Sequence, residues 1–485
     1  MTLAGLDPGV FRDECALIAA GIGALAMEIV KPRGRCSRTG WIILAGVLLA
    51  LLTDAIRPAP DAVMSKGAYL VDPLSRYFKG ILLLALALVV LPSLRHEDDG
   101  PRNGESLAFL AFSTAGMMLM AGSGDFVLLF VSYEFALTGF CLAALLVPGD
   151  GGFGSGGEGL KLLVAGAFSS AFLACGTAFL YAGCGSTLLA DIGVAAAARS
   201  REPQMICGLT FVIAGLGFAI AAVPFHMWVP DADAGQKAST PVAVFAFVSL
   251  KAAGFSVMVR VLTGALSSLQ GIWTWQLSVL AGLTIAVGGF AEIMQKDMKR
   301  LVAFSSIAQG GYVLAGLAAG GERGTSSAVF HLTTYAFAML GAAISVGVFQ
   351  RHSGTVGMAS FAGLGRRSPL LAFTLTLSLL SLAGVPPLGG FASKVCVFEA
   401  AMEISPGMPW LSVCGVVLSV VSLYYYMLVI RRLYFETPLD SGRVPVGRGL
   451  SAALLCCVAG MLLTGLRAKD VLDMTLAVAR TALGR

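Results

Sequence analysis

The feature that limits this chain most is a succession of apolar stretches, each long enough to cross a lipid bilayer, separated by short charged or Gly/Pro-rich connections. They fall near 15–30, 40–56, 80–94, 106–121, 125–147, 160–184, 206–228, 240–264, 272–294, 301–319, 326–350, 369–401, 410–433 and 450–466. The hydrocarbon core of a bilayer takes about 20 mostly apolar residues as a helix, because no water is there to satisfy the backbone. The expectation is an all-α polytopic membrane protein with about 14 transmembrane helices. Composition agrees: of 485 residues 57% are apolar and 13% charged, against about 25% charged in soluble domains. No soluble domain fits in the gaps. A formal charge of +5 is too balanced to point to nucleic acid. The ten cysteines form no C-x-x-C pair and suggest neither a metal cluster nor a disulfide framework. Asp7, Arg12, Asp13 and Glu14 precede the first apolar run, which therefore reads as a retained helix and not as a cleaved signal.

Two of these stretches are interrupted. The run at 369–401 is too long for one straight span and contains Val385-Pro386-Pro387-Leu388-Gly389-Gly390, and the run at 206–228 is broken at Pro224. Proline removes a backbone donor and frees a carbonyl about one turn back, which is tolerable at membrane depth only against protein or water. The broken runs are the seventh and twelfth, the fourth members of two five-helix blocks, spans 4 to 8 and 9 to 13. An odd number of spans per block forces opposite orientations, so the pattern points to two inverted five-helix repeats with a transport site at the breaks. The expected organisation is an N-terminal three-helix segment (1–105), a first repeat (106–265), a second repeat (266–435), and a C-terminal helix and tail (436–485). Lys and Arg concentrate in the loops on the side opposite the termini, which places both termini on the outer face.

Four charges lie within or close to spans: Glu134, Lys161, Lys251 and Lys394. Each costs about 2.5 to 3.5 kcal/mol on insertion scales, which implies a buried partner or a wet cavity. Proton relay suits them. Desolvation disfavours the ammonium form, so a buried lysine can load and unload a proton, and a carboxylate moving towards or away from it switches its proton affinity. The competing role is a static ion pair or a snorkelling side chain. His226, at the Pro224 break, and His331, at the start of the eleventh run, are further relay candidates because histidine titrates near neutral pH. Glu28 with Lys31, and Glu292 with Lys296, have helix-surface spacing at span ends and read as interfacial pairs. Asp125 reads as the cap of the fifth helix. The glycine-rich stretch 149–159 has the glycine spacing of a phosphate loop, but Leu160 stands where the lysine belongs and no strand precedes it, so it reads as a flexible connection.

Several segments carry a resemblance. They are Val131-Ser-Tyr-Glu-Phe135, Leu160-Lys-Leu-Leu-Val-Ala-Gly-Ala-Phe168, Gly215-Leu-Gly-Phe218, Ala221-Ala-Val-Pro-Phe-His-Met-Trp228 and Leu250-Lys-Ala-Ala-Gly-Phe255. Further on come Lys299-Arg-Leu-Val-Ala-Phe-Ser-Ser-Ile-Ala308, Ala362-Gly-Leu-Gly-Arg366, Leu382-Ala-Gly-Val-Pro-Pro-Leu388, Phe391-Ala-Ser-Lys394 and Ser422-Leu-Tyr-Tyr-Tyr426. In this order they resemble the antiporter-like membrane subunits of respiratory complex I, and most closely the subunit N branch of bacterial NADH-quinone oxidoreductase. The resemblance implies a proton-translocating membrane-arm subunit with Glu134, Lys251 and Lys394 on a polar axis and Lys161 alongside. It implies a place in the bacterial inner membrane beside adjacent antiporter-like and small membrane subunits. NADH, FMN, iron-sulfur clusters and quinone are expected in partner subunits, with no cofactor, metal or redox chemistry in this chain. The alternatives are a subunit of a multi-subunit cation/proton antiporter, which shares the fold, and a non-pumping structural subunit of complex I.

Three departures bear on the choice. Ala219 stands where the resemblance implies a lysine paired with Glu134. The connection Asp231 to Pro241 is unusual, with Ala234 and Lys237 in it. Gln309 occupies a position where histidine is common. Without its lysine, Glu134 is expected to be neutral at rest or to have recruited Lys161.

Overall fold

The computed structural model describes residues 10–30, 37–56, 62–64, 67–95, 103–146, 157–232, 240–403, 408–438 and 442–484. Helices α1 (Arg12–Val30) and α2 (Ser37–Ile56) lead into a short antiparallel hairpin, β1 (Ala62–Met64) and β2 (Tyr69–Val71), and then α3 (Pro73–Val90). There follow α4 (Asn103–Gly122), α5 (Phe126–Leu145), α6 (Gly157–Cys184), α7 (Leu189–Arg199), α8 (Pro203–Ala219), α9 (Trp228–Ala232), α10 (Thr240–Phe245) and α11 (Lys251–Val259). The chain continues with α12 (Gln270–Ile293), α13 (Met298–Ala319), α14 (Gly321–Ser353), α15 (Leu364–Arg367), α16 (Pro369–Ala383) and α17 (Gly389–Glu403). It ends with α18 (Pro409–Phe435), α19 (Arg448–Leu466) and α20 (Ala468–Ala482). The all-helical expectation therefore holds apart from the hairpin. The short helix α7 and the amphipathic α20 were not anticipated, since neither has the apolar length of a span.

Among the described residues, eleven helices are long and apolar enough to cross a membrane, and α8 and α16 are apolar but shorter. The shortening has a local cause. Helix α8 stops at Ala219, Ala221 takes a positive φ of 57°, and helix resumes only at Trp228. Helix α16 stops at Ala383, where Gly384 caps it at φ 88°, and α17 begins at Gly389. Both breaks fall at the expected prolines, and both contain a cis X–Pro bond, Val223–Pro224 and Pro386–Pro387. The stretch 240–264, expected as one span, carries π-helical turns at Ala246–Leu250 and Arg260–Ala265 on either side of α11. Such turns widen the helix and recur at functional sites.

Caps set several helix starts. Asp72 forms a capping box with Ser75 ahead of Pro73. Asp125 accepts from the amides of Val127 and Leu128, as expected, and Asp297 does the same for Lys299 and Arg300. Helices α11 and α13 lie in the centre, whereas α2, α6 and α18 turn apolar residues such as Leu48, Phe168 and Val420 outwards. Lipid is the natural neighbour of such a surface.

Close helix pairs rest on glycine. A Cβ at Gly116 would fall 2.6 Å from the backbone nitrogen of Ala136, and one at Gly288 would fall 2.6 Å from that of Ala308. A Cβ added at Gly139 would fall 2.9 Å from the Ser113 nitrogen, and one at Gly311 would fall 2.8 Å from that of Ile285. The pairs α4–α5 and α12–α13 thus correspond at one constant offset along the chain, and the caps Asp125 and Asp297 share it.

One ion pair ties the N-terminal segment to this core. Arg260, in the second π-helical turn, holds Asp72 through both carboxylate oxygens at 2.7 and 2.9 Å and also donates to the Ala121 carbonyl at the end of α4. Burial pushes the Asp72 carboxyl up, but the bonds to Arg260 and its charge outweigh this and hold it below the usual carboxylate range. A carboxyl lowered on folding adds stability that is complete above the unfolded value and is lost only as pH falls through the folded one. The tie therefore holds at every neutral pH.

Two smaller expectations change. Lys31 lies outside the described residues, and Glu28 accepts from Thr39 Oγ1 at 2.6 Å. Most of the glycine-rich stretch 149–159, and Ala234 and Lys237, also lie outside them.

Gly288→Ala is expected to destabilise the α12–α13 contact by about 1 to 3 kcal/mol through overpacking. Gly289→Ala, where a Cβ meets only the Leu418 side chain at 3.6 Å, should be silent in the same thermal-unfolding measurement on the solubilised protein. Asp72→Asn leaves a buried guanidinium unpaired and should cost about 3 kcal/mol, read as a lower unfolding midpoint.

Candidate functional site

The two breaks and α13 between them build the site. When a helix stops inside the bundle, its last carbonyls lose their intrahelical donors and carry the negative end of the helix dipole. The end of α16 uses this directly: Lys394, on α17 just past the break, donates to the Leu382 carbonyl at 2.7 Å and the Ala383 carbonyl at 3.3 Å. Its third donor goes to Ser419 Oγ on α18 at 3.1 Å. The ammonium also lies 4.4 Å from the centre of the Tyr312 ring, a favourable cation–π distance. The Tyr312 hydroxyl is 2.9 Å from Ser419 Oγ.

Lys251 is fully buried at the first residue of α11. Its ammonium donates to the Ser306 carbonyl and, at 2.8 Å, to Ser306 Oγ on α13. A Ser306 carbonyl that takes this proton lies in mid-helix, so it is shared with the helix ladder. Gly310, one turn on, makes room: a Cβ there would sit 3.8 Å from the ammonium and 3.3 Å from the Ile220 carbonyl at the first break. Tyr335 places its ring 5.8 Å away and donates to the Phe247 carbonyl in the first π-helical turn.

Gln309 lies on α13 between the two lysines. Its side-chain nitrogen donates at 3.2 Å to the same Leu382 carbonyl that holds Lys394, while its backbone adjoins Gly310 beside Lys251. Its side-chain oxygen is buried with no partner in the structure. The polar line thus runs from Tyr335 and Lys251 through Ser306 and Gln309 to Lys394, Ser419 and Tyr312. Neither lysine has a carboxylate within ion-pair distance among the described residues. Neutral oxygens hold both.

The other expected residues separate. His331 lies in the third turn of α14, deeper than anticipated, with Nδ1 3.0 Å from Ser393 Oγ and its ring edge-on to Tyr312. It joins the Lys394 end. His226 is buried at the first break, and its Nδ1 has no partner. Glu134 is only half-buried, and Lys161 is exposed. No ion pair joins them among the described residues, so of the two alternatives for Glu134 the pairing with Lys161 is not the arrangement in this structure. Lys161 sits in the first turns of α6 and Glu134 near the middle of the antiparallel α5, at a different depth. Ala219 packs on α11, where a Cβ added at Gly254 would lie 3.0 Å from its own Cβ.

Glu292 was misread as an interfacial partner of Lys296. It is 1% exposed, with Ser422 Oγ 3.4 Å from its carboxylate, and lies beside Tyr426, which in turn meets Ser305 Oγ at 2.6 Å. It is within electrostatic reach of Lys394, and Lys296 is exposed. The Ser-Ser-Ile-Ala and Ser-Leu-Tyr-Tyr-Tyr segments carried the signal, since they supply the hydroxyls around it.

A family model described as "NADH:quinone oxidoreductase/Mrp antiporter, TM" matches residues 109–422. NADH-quinone oxidoreductase subunit N of Moorella thermoacetica is 37% identical over 93% of this chain and 94% of its own length. NAD(P)H-quinone oxidoreductase subunit 2 of Trichormus variabilis is 35% identical over 91% and 85%. A chain of respiratory complex I from Thermus thermophilus with bound aureothin aligns at a TM-score of 0.79 and 28% identity, covering 96% of this chain and 99% of that one. A chain of the Mrp complex from a Dietzia species aligns at 0.86 with 18% identity over 98% and 97%, a likeness of fold alone.

Gln309→Leu keeps the volume but removes the donor at Leu382. It should leave the protein assembled and slow proton movement several-fold, measured as the initial rate of acidification in vesicles.

Proposed function

This chain belongs to the NADH:quinone oxidoreductase/Mrp antiporter family of membrane subunits, and from that premise we propose a mechanism for its work as the proton-pumping, antiporter-like subunit N of a complex I membrane arm. The observation that carries it is the pair of buried lysines, each held by neutral oxygens at or beside a helix break, with Gln309 between them on α13. A charge solvated by carbonyls and hydroxyls, without a fixed counter-ion, is stable enough to form and can be given up without stranding a carboxylate. Lys251 and Lys394 are assigned as proton-exchanging groups. Ser306, Ser419 and the Leu382 and Ala383 carbonyls position them, and His331 and Tyr312 line the way beyond Lys394. Glu292, within reach of Lys394, is the buried carboxylate that biases it.

As a multi-pass membrane protein in an enzyme complex, the chain couples to NADH oxidation and quinone reduction in other subunits, where the cofactors reside. We assign it to the bacterial inner membrane with both termini outside, on the bias of Lys and Arg among its loops. The half-buried Glu134 and the exposed Lys161 fall on the outer faces of α5 and α6, which makes them candidates for contact with adjacent membrane-arm subunits. Ala219 in place of lysine weakens the first half of the path, so the reading rests on the second half and on Lys251.

Lys251→Met and Lys394→Met, each in the assembled complex, are expected to lower the protons moved per NADH oxidised. General acid–base groups are typically worth about 100-fold or more to the step they serve, so the transfer through this subunit should fall to background. Unchanged stoichiometry in both would assign the chain a structural role. Recovery of the tagged chain with cation/proton antiporter subunits, without NADH-dependent quinone reduction, would move it to ion exchange.

A further inference from the structure

A second buried ionisable group lies well away from the axis, at the N-terminal end of the bundle. Lys79, in the second turn of α3, meets Glu14, in the first turn of α1, at 2.7 Å, with side chains only 5% and 2% exposed. The Tyr69 hydroxyl, from β2, donates to the same Glu14 oxygen, Oε1, at 2.6 Å. The other oxygen, Oε2, is buried without a partner, and the Lys79 ammonium lies 5.5 Å from the Tyr69 ring centre. Half-buried Asp13 adjoins Glu14 on α1, accepts from Thr53 Oγ1 of α2 at 3.1 Å, and has Asp54 within electrostatic reach.

A buried pair of this kind is a poor device for stability, since desolvating two charges about cancels their attraction and apolar residues of the same size do as well or better. Its carboxylate also has two donors on one oxygen and none on the other. That arrangement leaves a lone pair where a proton can land while Tyr69 and Lys79 stay in place. The cluster connects to the transport site by a short run of chain and one ion pair: Asp72, three residues after Tyr69, is gripped by Arg260, which lies on the same helical run as Lys251, at the other end of α11. Arg260 is itself within electrostatic reach of Tyr69.

We propose that Glu14, with Lys79 and Tyr69, is an additional proton-exchange site at the N-terminal face, coupled electrostatically to Lys251 through the Asp72–Arg260 pair; this rests on the proton-transfer reading above. A proton from the water at that face, arriving past Asp13, adds to Glu14 Oε2 and converts carboxylate to carboxylic acid. Lys79 then loses the carboxylate that neutralises it, and the cluster carries one more positive charge beside Tyr69, which Arg260 also reaches electrostatically. In a low-dielectric interior that added charge is felt at α11 and favours proton release from Lys251. Loss of the proton from Glu14 reverses the bias.

The test is the ratio of protons moved to NADH oxidised, in vesicles carrying the intact complex. Glu14→Gln keeps the shape but cannot take a proton, and it should lower the ratio, whereas Glu14→Asp should retain much of it. The double variant Glu14→Gln/Lys79→Met removes the charge imbalance and should assemble while keeping the ratio low. A wild-type ratio in Glu14→Gln, or its restoration in the double variant, overturns the proposal. Failure of every charge-removing variant to assemble while Glu14→Asp assembles would assign the pair a structural role and overturn it as well. Lys251→Met, run in parallel, separates the two readings: if it lowers the ratio and Glu14→Gln does not, only this proposal fails.

Discussion

The architecture depends on one constraint: within a bilayer every backbone carbonyl and amide needs a partner inside the protein. A helix that stops at mid-depth is affordable only if something else satisfies its end. Here the end of α16 is satisfied by Lys394, folded back from α17, so the break and the buried cation stabilise each other. The first break is handled differently. Its Val223 amide is taken by Thr284 on α12 and its Phe218 carbonyl by the Trp228 indole, leaving the Ile220 carbonyl facing Gly310. Both solutions need α13 between the breaks, which is why that helix is buried on nearly every side and carries Gly310 and Gly311 where it meets Lys251 and α12.

The buried charges divide into two kinds. Arg260 and Asp72 are matched through two hydrogen bonds, and Arg260 also covers the end of α4; such a pair resists separation and locks helices. Lys251 and Lys394 lie among hydroxyls, carbonyls and aromatic faces. Dipoles of this sort solvate an ammonium without requiring it, so loss of a proton leaves satisfied or nearly satisfied oxygens behind. The π-helical turns on either side of α11 set Lys251 on a short segment whose ends are wider than a regular helix, with its anchor, Arg260, at the far end.

How much of this was legible differs residue by residue. The breaks were, because proline at membrane depth has a strictly local consequence. Lys251 and Lys394 were, because a charge inside an apolar run has an unavoidable desolvation cost wherever the helix faces. Glu292 was not: its spacing from Lys296 matches a surface pair, and only the rotation of α12 against α13 and α18 turns it to Ser422 and Tyr426. Glu134 and Lys161 lie half-buried and exposed on this chain, and an apolar flank does not say whether a helix face meets protein or lipid. Glu14, Lys79 and Arg260 lie at the edges of their apolar runs, where charges are ordinary, and only the packing of α1, α3 and the second π-helical turn makes them a buried group.

The amino-acid sequence by itself determined that this is a helical membrane protein, where its helices break, and which charges sit inside apolar segments, because hydropathy, proline and desolvation act over a single turn or span. Tertiary structure decided which charges meet. Whether a lysine finds a carboxylate, a carbonyl or lipid depends on the rotation and depth of helices far apart in the chain, set by glycine contacts such as Gly288 on Ala308 and by ties such as Arg260 to Asp72. No local pattern encodes those.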